Sequence, residues 1–267
     1  MTMMRPWIWI LAATAAASPC AGRSAYAQTR PLQTEEAGTA PEGTLVLELG
    51  GDFIRDEPNF LTGEERDRWD APVLRLVWSP ARRVELDVEW TARVGAIDDP
   101  TYGSVSDFGD VALRAKVAFL EEDRSALGLG ARFAVTLPET SFGNGLGPNV
   151  LRMSAQMLLS KTLGRTAFHL NAGLAIHDEV LRPHEQRDFF AYGLALVYPF
   201  GEQLSLVAEV AGRAGNGAPG AEERAEARAG FRFGGRRVRG DAAVRRGLAE
   251  ADGTWGLTAG LTWTIRR

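Results

Sequence analysis

The fold is indicated most clearly by residues 107–178, which read DFGDVALRAKVAFLEEDRSALGLGARFAVTLPETSFGNGLGPNVLRMSAQMLLSKTLGRTAFHLNAGLAIHD. Apolar residues alternate with polar or small residues in four parts of this stretch, as in VALRAKVAF (111–119) and LRMSAQMLLS (151–160). Successive side chains of a β-strand point to opposite faces. A face that stays apolar over five or six successive positions suits a tilted strand of roughly 9–11 residues that crosses a bilayer. The stretch therefore predicts four membrane-spanning strands.

Eight further segments alternate in the same way, which gives twelve predicted strands. Along the chain these are Leu45–Ile54, Pro72–Ser79, Arg83–Val94, Val111–Phe119, Leu127–Leu137, Leu151–Ser160, Phe168–His177, Asp188–Tyr198, Gln203–Arg213, Arg224–Phe233, Arg237–Arg245 and Thr254–Ile265. In the third strand, six apolar residues alternate with Glu85, Asp87, Glu89, Thr91 and Arg93. A buried strand of a soluble protein rarely carries so many ionisable side chains on one face. This face is therefore predicted to line water.

The connections between the predicted strands alternate in length. Short turns such as Leu163-Gly164 alternate with longer polar loops such as Arg55–Asp70, which is the asymmetry of outer-membrane barrels. Outward aromatic residues form two candidate interfacial girdles: Trp78, Phe119, Phe168, Tyr198, Phe233 and Trp263 at the short-turn ends, and Phe53, Phe190 and Trp255 at the long-loop ends. An open sheet edge in hydrocarbon would leave backbone groups without partners. We therefore predict an all-β fold, a closed antiparallel transmembrane β-barrel of about twelve strands with up-and-down topology. The alternative is a soluble β-sandwich or lipocalin-like barrel around a dry core.

The N-terminal residues predict export from the cytoplasm. Arg5, an apolar run over 7–17 and the small-x-small site Ala25-Tyr26-Ala27 are typical of a signal peptide over residues 1–27. A lipid anchor at Cys20 is the weaker alternative. Residues 28–43 are polar and contain two prolines, which predicts a flexible lead-in to a barrel domain over 44–267.

Composition excludes several classes of function. Residues 1–27 hold two arginines and no acid, so the remaining 240 residues hold 28 basic and 34 acidic residues, a net charge of −6, and no cysteine. The negative charge disfavours a nucleic-acid partner, and a disulfide framework is impossible. No run of 18 apolar residues follows position 27, so no transmembrane helix is predicted. The predicted partners are outer-membrane lipid and a small-molecule solute, and the predicted location is the bacterial outer membrane.

Ionisable residues on the polar faces are the candidates to line the lumen. They include Arg75, Glu85, Asp87, Glu89, Arg93, Arg114, Lys116, Arg132, Arg152, Glu209, Arg228 and Arg232. Such residues either select solutes in a pore or pair across strands and support the wall. We expect pairing for most, with Arg75 and Arg114 as candidate partners of the three acids in the third strand. The glycine-rich loop Pro138–Asn149 could fold inward as a constriction, but such a stretch is more often a mobile external loop, which is the preferred interpretation.

The sequence predicts no catalytic residue, metal site or cofactor. His169 and His177 lie on one predicted strand, eight residues apart, which is too far to share a metal, and His184 lies in a loop. The pair Asp98-Asp99 alone is weak support for a cation site. An outer-membrane hydrolase would need a serine, a histidine and an orienting group. Ser160 faces the hairpin partner that carries His169, but no acid is apparent as the orienting group.

Part of the chain resembles the outer-membrane proteins associated with the meta-cleavage pathway of phenol degradation. The similarity covers about Phe108–Tyr198 and includes Phe108-Gly109-Asp110-Val111 with Lys116, Leu137-Pro138, Leu158-Leu159-Ser160-Lys161, Leu163-Gly164 and Leu170-Asn171-Ala172-Gly173. The resemblance implies a channel or transporter for hydrophobic or aromatic compounds. The chain departs from outer-membrane barrels in ending on Arg266-Arg267 after Ile265, where such barrels usually end on an aromatic residue. We predict a channel for small solutes, with a non-conducting structural or lipid-active barrel as the alternative.

Overall fold

The computed structural model describes residues 30–182 and 184–265. Within these residues the strands are β1 (Leu45–Pro58), β2 (Glu65–Ala81), β3 (Val84–Thr91), β4 (Val94–Asp99), β5 (Gly103–Asp107), β6 (Val111–Leu120), β7 (Gly128–Leu137), β8 (Arg152–Leu163), β9 (Thr166–Asp178), β10 (Gln186–Pro199), β11 (Leu204–Gly215), β12 (Arg224–Gly234), β13 (Val238–Gly247) and β14 (Trp255–Ile265). No helix of the described residues is long and apolar enough to span a membrane. The proposed signal peptide and Arg266-Arg267 lie outside the described residues.

The sheet closes on itself through its first and last strands. Strand β1 pairs with β14 in an antiparallel register from Leu45↔Ile265 to Arg55↔Trp255, and it also pairs with β2. Strand β3 pairs with β6, and the strands from β6 to β14 pair consecutively. Twelve strands, all except β4 and β5, therefore form a closed antiparallel barrel. The predicted fold class and strand number are confirmed.

The outer surface of the barrel is apolar. Leu174, Leu194 and Leu261 are 61%, 56% and 55% exposed, because the alternation places every second side chain on the outside. Trp78 and Trp263 lie at the short-turn end and Phe190 and Trp255 near the other end, and all four are exposed. An apolar band between aromatic girdles on a closed barrel suits lipid surroundings. The predicted location in the bacterial outer membrane is confirmed by this fold.

The strands extend further on the long-loop side than the sequence predicted. Strand β2 has 17 residues and begins at Glu65, inside the predicted loop 55–70. Its first residues pair with β4, which forms a hairpin with β5 where a loop was predicted. These segments lack an apolar face because they lie beyond the hydrocarbon, so their alternation gave no sign of a membrane strand.

The glycine-rich loop packs across the external mouth of the barrel. The Arg66 guanidinium donates to the carbonyl oxygens of Asn144, at 3.0 Å, and of Gly145. Leu146 is buried against Val94 and Ala96 of β4. Of the two interpretations of this loop, the inward one describes the structure.

Candidate functional site: the barrel lumen

Most of the N-terminal segment, residues 30–43, lies inside the barrel, and its last residues, which include the exposed Pro41 and Glu42, lie at the short-turn end. Its residues Thr34, Glu35, Ala37 and Ala40 are each at most 3% exposed. At the short-turn end, the Gly43 N–H donates to the Ser79 carbonyl at 2.9 Å. The structure therefore differs from the flexible lead-in that the composition predicted. The physical reason is that the barrel wall supplies partners for the polar groups of the segment.

Glu35 connects the segment to several strands. Its carboxylate Oε1 lies 2.8 Å from Nη1 of Arg132 and 3.1 Å from Nη2 of Arg75, and Oε2 lies 3.6 Å from Nζ of Lys116. Its backbone is held by Asn171, which accepts from the Glu35 N–H at 2.7 Å and donates to the Glu35 carbonyl at 2.8 Å. Three cations and an amide thus hold one residue of the segment at the centre of the lumen.

The acids of β3 pair with cations of the neighbouring strands. Asp87 accepts from Nε and Nη2 of Arg75 at 3.0 and 2.9 Å and from Nη1 of Arg114 at 2.9 Å. Glu89 accepts from Arg114 at 2.7 Å. These ion pairs agree with the partners that the sequence suggested.

Glu85 is also paired, and it reaches the N-terminal segment. Its carboxylate lies 2.8 Å from Nζ of Lys116 and accepts from the Ala40 N–H at 3.2 Å. This side of the wall is therefore neutralised locally, with the segment included in the charge balance.

A second group of contacts fixes the segment to β11 and β12. Glu209 accepts from the Gln33 N–H at 2.8 Å and from the Thr34 N–H at 2.8 Å. Arg228 donates to the Pro31 carbonyl at 2.8 Å. Glu226 accepts from the Gln33 amide at 2.8 Å. Contacts of this kind from opposite walls hold the segment across the lumen.

Arg30 reaches the seam between β1 and β14. Its guanidinium donates to Thr258 Oγ1 and to the Ala259 carbonyl, both at 2.8 Å, and Arg232 donates to the Arg30 carbonyl at 2.8 Å. A Cβ on Gly50 or Gly260 would overlap the Arg30 side chain. The two glycines therefore provide the space that Arg30 occupies.

Glycines make room for the segment elsewhere in the wall. The three atoms nearest to a Cβ on Gly193 would all belong to Thr34, and a Cβ on Gly130 would lie 2.9 Å from the carbonyl oxygens of Ala37 and of the wall residue Val117. Eight strands suffice for side chains to fill a barrel. In this wider barrel the N-terminal segment fills part of the interior instead.

Eleven of the twelve predicted lumen residues lie inside the barrel. They contact the segment, pair with residues that do, or line the cavity: Arg75, Glu85, Asp87, Glu89, Arg114, Lys116, Arg132, Arg152, Glu209, Arg228 and Arg232. Their role in selecting solutes stays a prediction. Arg93 differs, because the chain leaves the barrel wall after Thr91. Arg93 is exposed, bonds Ser106 at 3.1 Å and lies over the Phe108 ring at 5.4 Å.

A cavity of about 630 Å³ lies in the external half of the lumen. The N-terminal segment, from Arg30 to Glu35, lines its inner side, and the loop residues Gly145–Pro148, with Phe60 and Gly220, line its outer side. Polar and small side chains of the strands form its wall. The lumen thus holds open space between the N-terminal segment and the external loops.

One contact of Ser160 supports the hydrolase hypothesis, and another weakens it. Ser160 Oγ lies 2.9 Å from Nδ1 of His169, but it also accepts from the Ala37 N–H at 2.9 Å. Ser160 and His169 are buried beneath the N-terminal segment. No ion pair to a carboxylate orients His169 among the described residues, so the arrangement suits a structural contact.

Asp99 is bound by protein donors. It accepts from Nη1 of Arg66 at 2.9 Å, from Asn59 at 3.1 Å, and from the N–H groups of Thr101 and Tyr102. Burial opposes ionisation, but these hydrogen bonds hold the pKa of Asp99 below its ordinary value. No group of three His, Cys, Asp or Glu in the described part of the chain could hold a metal ion.

The comparisons with known proteins support the fold. The sequence matches no protein-family model and no curated protein. The structure is similar to the COG4313 outer membrane channel of Pseudomonas putida F1, with a TM-score of 0.64 and 19% identity over 86% of this chain and 98% of that one. The translocator domain of the autotransporter NalP from Neisseria meningitidis has a TM-score of 0.51 and 11% identity over 82% of this chain and 87% of that one. An active-site mutant of outer membrane phospholipase A from Escherichia coli has a TM-score of 0.45 and 12% identity over 88% of this chain and 93% of that one.

Proposed function

We propose that the protein is a passive channel for small solutes in the outer membrane, closed at rest by its N-terminal segment. The observation that carries the proposal is the cavity of about 630 Å³ above a segment held to the wall by hydrogen bonds and ion pairs. Each polar contact that the segment loses can be replaced by a hydrogen bond to water in the lumen, which recovers part of its free energy. Apart from Leu32, which packs against Ala195 and Val207 of the wall, the segment is therefore held mainly by contacts that water can replace.

The substrate class is the finer part of the proposal. The similarity to the COG4313 outer membrane channel and the resemblance of residues 108–198 to meta-cleavage-pathway proteins favour small organic solutes, including aromatic ones. The cavity volume lies within the range of small-molecule sites, about 300–1,000 Å³.

The test compares the full chain with a variant that lacks residues 28–40, both reconstituted in liposomes. This deletion keeps residues 41–43, which bond the barrel end. We expect the deletion to increase single-channel conductance and the swelling rate in arabinose and in nicotinamide, an uncharged aromatic solute. Heat-modifiable gel mobility would show that both barrels are folded. A folded deletion variant that conducts no more than empty liposomes would favour the non-conducting alternative.

A further inference from the structure

One wall of the cavity carries three basic side chains around a buried phenyl ring. Arg152 of β8 lies directly opposite His177 of β9 in the strand register. The His177 ring lies 5.2 Å from the Phe189 ring, and Cζ of Arg213 lies 5.5 Å from the same ring. Arg152, His177 and Arg213 all line the cavity.

His177 is buried without a hydrogen-bond partner. It is 5% exposed, and its Nδ1 bonds no atom of the described residues. The charged groups that act on its ring are the guanidinium groups of Arg152 and Arg213. Buried polar groups are nearly always hydrogen-bonded. An unpartnered imidazole between two cations therefore indicates a place for an acceptor with negative charge.

The two arginines retain capacity to bind such an acceptor. No carboxylate of the described residues lies within 4.0 Å of the Arg213 guanidinium, whose Nε donates to the Glu222 backbone carbonyl at 2.8 Å. Arg152 pairs with Asp110 through Nη2, while its Nε is buried without a partner.

The neighbouring charges are already paired. Arg187, opposite His177 on β10, lies 2.6 Å from Glu179. Arg224, opposite Arg213 on β12, lies 2.8 Å from Glu57 and 3.6 Å from Asp252. The uncompensated positive charge is therefore concentrated at Arg213, beside His177.

The wall next to these cations carries small side chains, two of which are apolar. Ala134, Ser154 and Ala175 follow one another in register across β7, β8 and β9, and all three line the cavity. Short side chains leave room for the body of a ligand. Guanidinium groups bind carboxylates through charge-assisted hydrogen bonds.

We infer that this wall binds an organic carboxylate with a compact apolar body. The carboxylate lies between Arg152 and Arg213 and accepts a hydrogen bond from Nδ1 of His177, and the apolar body lies along Ala134 and Ala175. The inference names a solute for the proposed channel and rests on that function only for how the solute reaches the lumen.

The test measures binding to the full chain in detergent by isothermal titration calorimetry, so that it does not depend on conductance. The probes are benzoate, benzamide as its uncharged isostere, and acetate as a carboxylate without an apolar body. We expect benzoate to bind most tightly, and Arg213→Gln and Arg152→Gln each to weaken it about tenfold or more. Arg245→Gln is the matched control, since Arg245 lines the same cavity but is paired with Glu226 at 2.5 Å. It should change benzoate binding less than about threefold, as expected of a charge screened by water and ions.

Equal binding of benzoate and benzamide would overturn the inference, and so would an equal loss in the Arg245 variant. Absence of benzoate binding to a chain that folds, judged by heat-modifiable mobility, would also overturn it. Benzoate binding by a barrel that does not conduct would refute the channel and leave the carboxylate site standing. Conductance without benzoate binding would refute the carboxylate site and leave the channel standing.

Discussion

The Glu35 carboxylate lies 2.8 Å from the Arg132 guanidinium and 3.1 Å from that of Arg75. One side chain of the N-terminal segment is thereby bound to strands β7 and β2, which are not neighbours in the barrel. A contact of this kind joins the segment to the wall without adding to the strand pairing itself. Its loss should therefore affect closure of the lumen more than stability of the barrel.

Glu35→Gln should open the channel more often. The change removes charge-assisted hydrogen bonds worth about 1.5–3 kcal/mol each, so the displaced population should rise roughly tenfold or more. Single-channel recording in planar bilayers measures this population. Glu36→Gln is the control, because it makes the same chemical change one residue away. Within the described residues, the Glu36 carboxylate forms no ion pair. Equal opening in both variants would contradict the role given to Glu35.

Gly193→Val should also displace the segment, by a steric route. The three atoms nearest to a Cβ at Gly193 all belong to Thr34, the first at 2.4 Å, and overpacking costs about 1–3 kcal/mol. Conductance should therefore increase in the single variant. Adding Thr34→Gly removes the opposing side chain and should restore conductance toward the Thr34→Gly background. Absence of this rescue would mean that valine acts on the barrel wall instead.

Ser160→Ala should change closure slightly and lipid hydrolysis not at all. The variant leaves the Ala37 N–H without its acceptor, a loss of about 1 kcal/mol. We expect single-channel recording to show a small increase in open time. The release of fatty acid from phospholipid vesicles should stay at the same background level as with the unmodified chain. A hydrolytic activity of the unmodified chain that Ser160→Ala abolishes would establish the enzymatic alternative.

The barrel was predictable because two physical constraints act on every strand. The period of two sets which side chains face lipid, and the absence of water in the bilayer requires the sheet to close. Residues as distant as Leu47 and Trp263, which are register partners, could therefore be placed on the same outer face. The predicted strand ends were less accurate outside the hydrocarbon, where neither constraint applies and Arg93 turns to solvent.

The N-terminal segment was not predictable from its own composition. Its prolines and adjacent acids are typical of a solvated tail, and its partners are spread over distant strands, from Glu85 to Glu209. The wall did contain a signal, since Gly130 and Gly193 lie within strands, on the lumen face. A glycine weakens a strand unless another backbone must approach it, so lumen-facing glycines could have indicated an occupant.

The external loops should respond to acid through Asp99. Its pKa is held below the ordinary value by Tyr102, Asn59, Arg66 and Thr101 against the effect of burial. A lowered pKa means that the carboxylate stabilises the folded loops above its unfolded-state pKa, about 3.9. The contribution is lost as pH falls through the lower folded-state pKa. Neutral and mildly acidic solutions should therefore leave the mouth of the barrel unchanged.

Hydrogen exchange of residues 138–149, corrected for intrinsic rates, measures this response. Protection should be constant from about pH 7 to 5 and fall below about pH 4, because Arg66 binds both Asp99 and the Asn144 carbonyl. Asp99→Asn should lower protection already at neutral pH. Asp98→Asn, at an exposed carboxyl next to it, should leave protection unchanged. If both variants behave alike, Asp99 does not hold the loop, and the acid response must come from another carboxyl group.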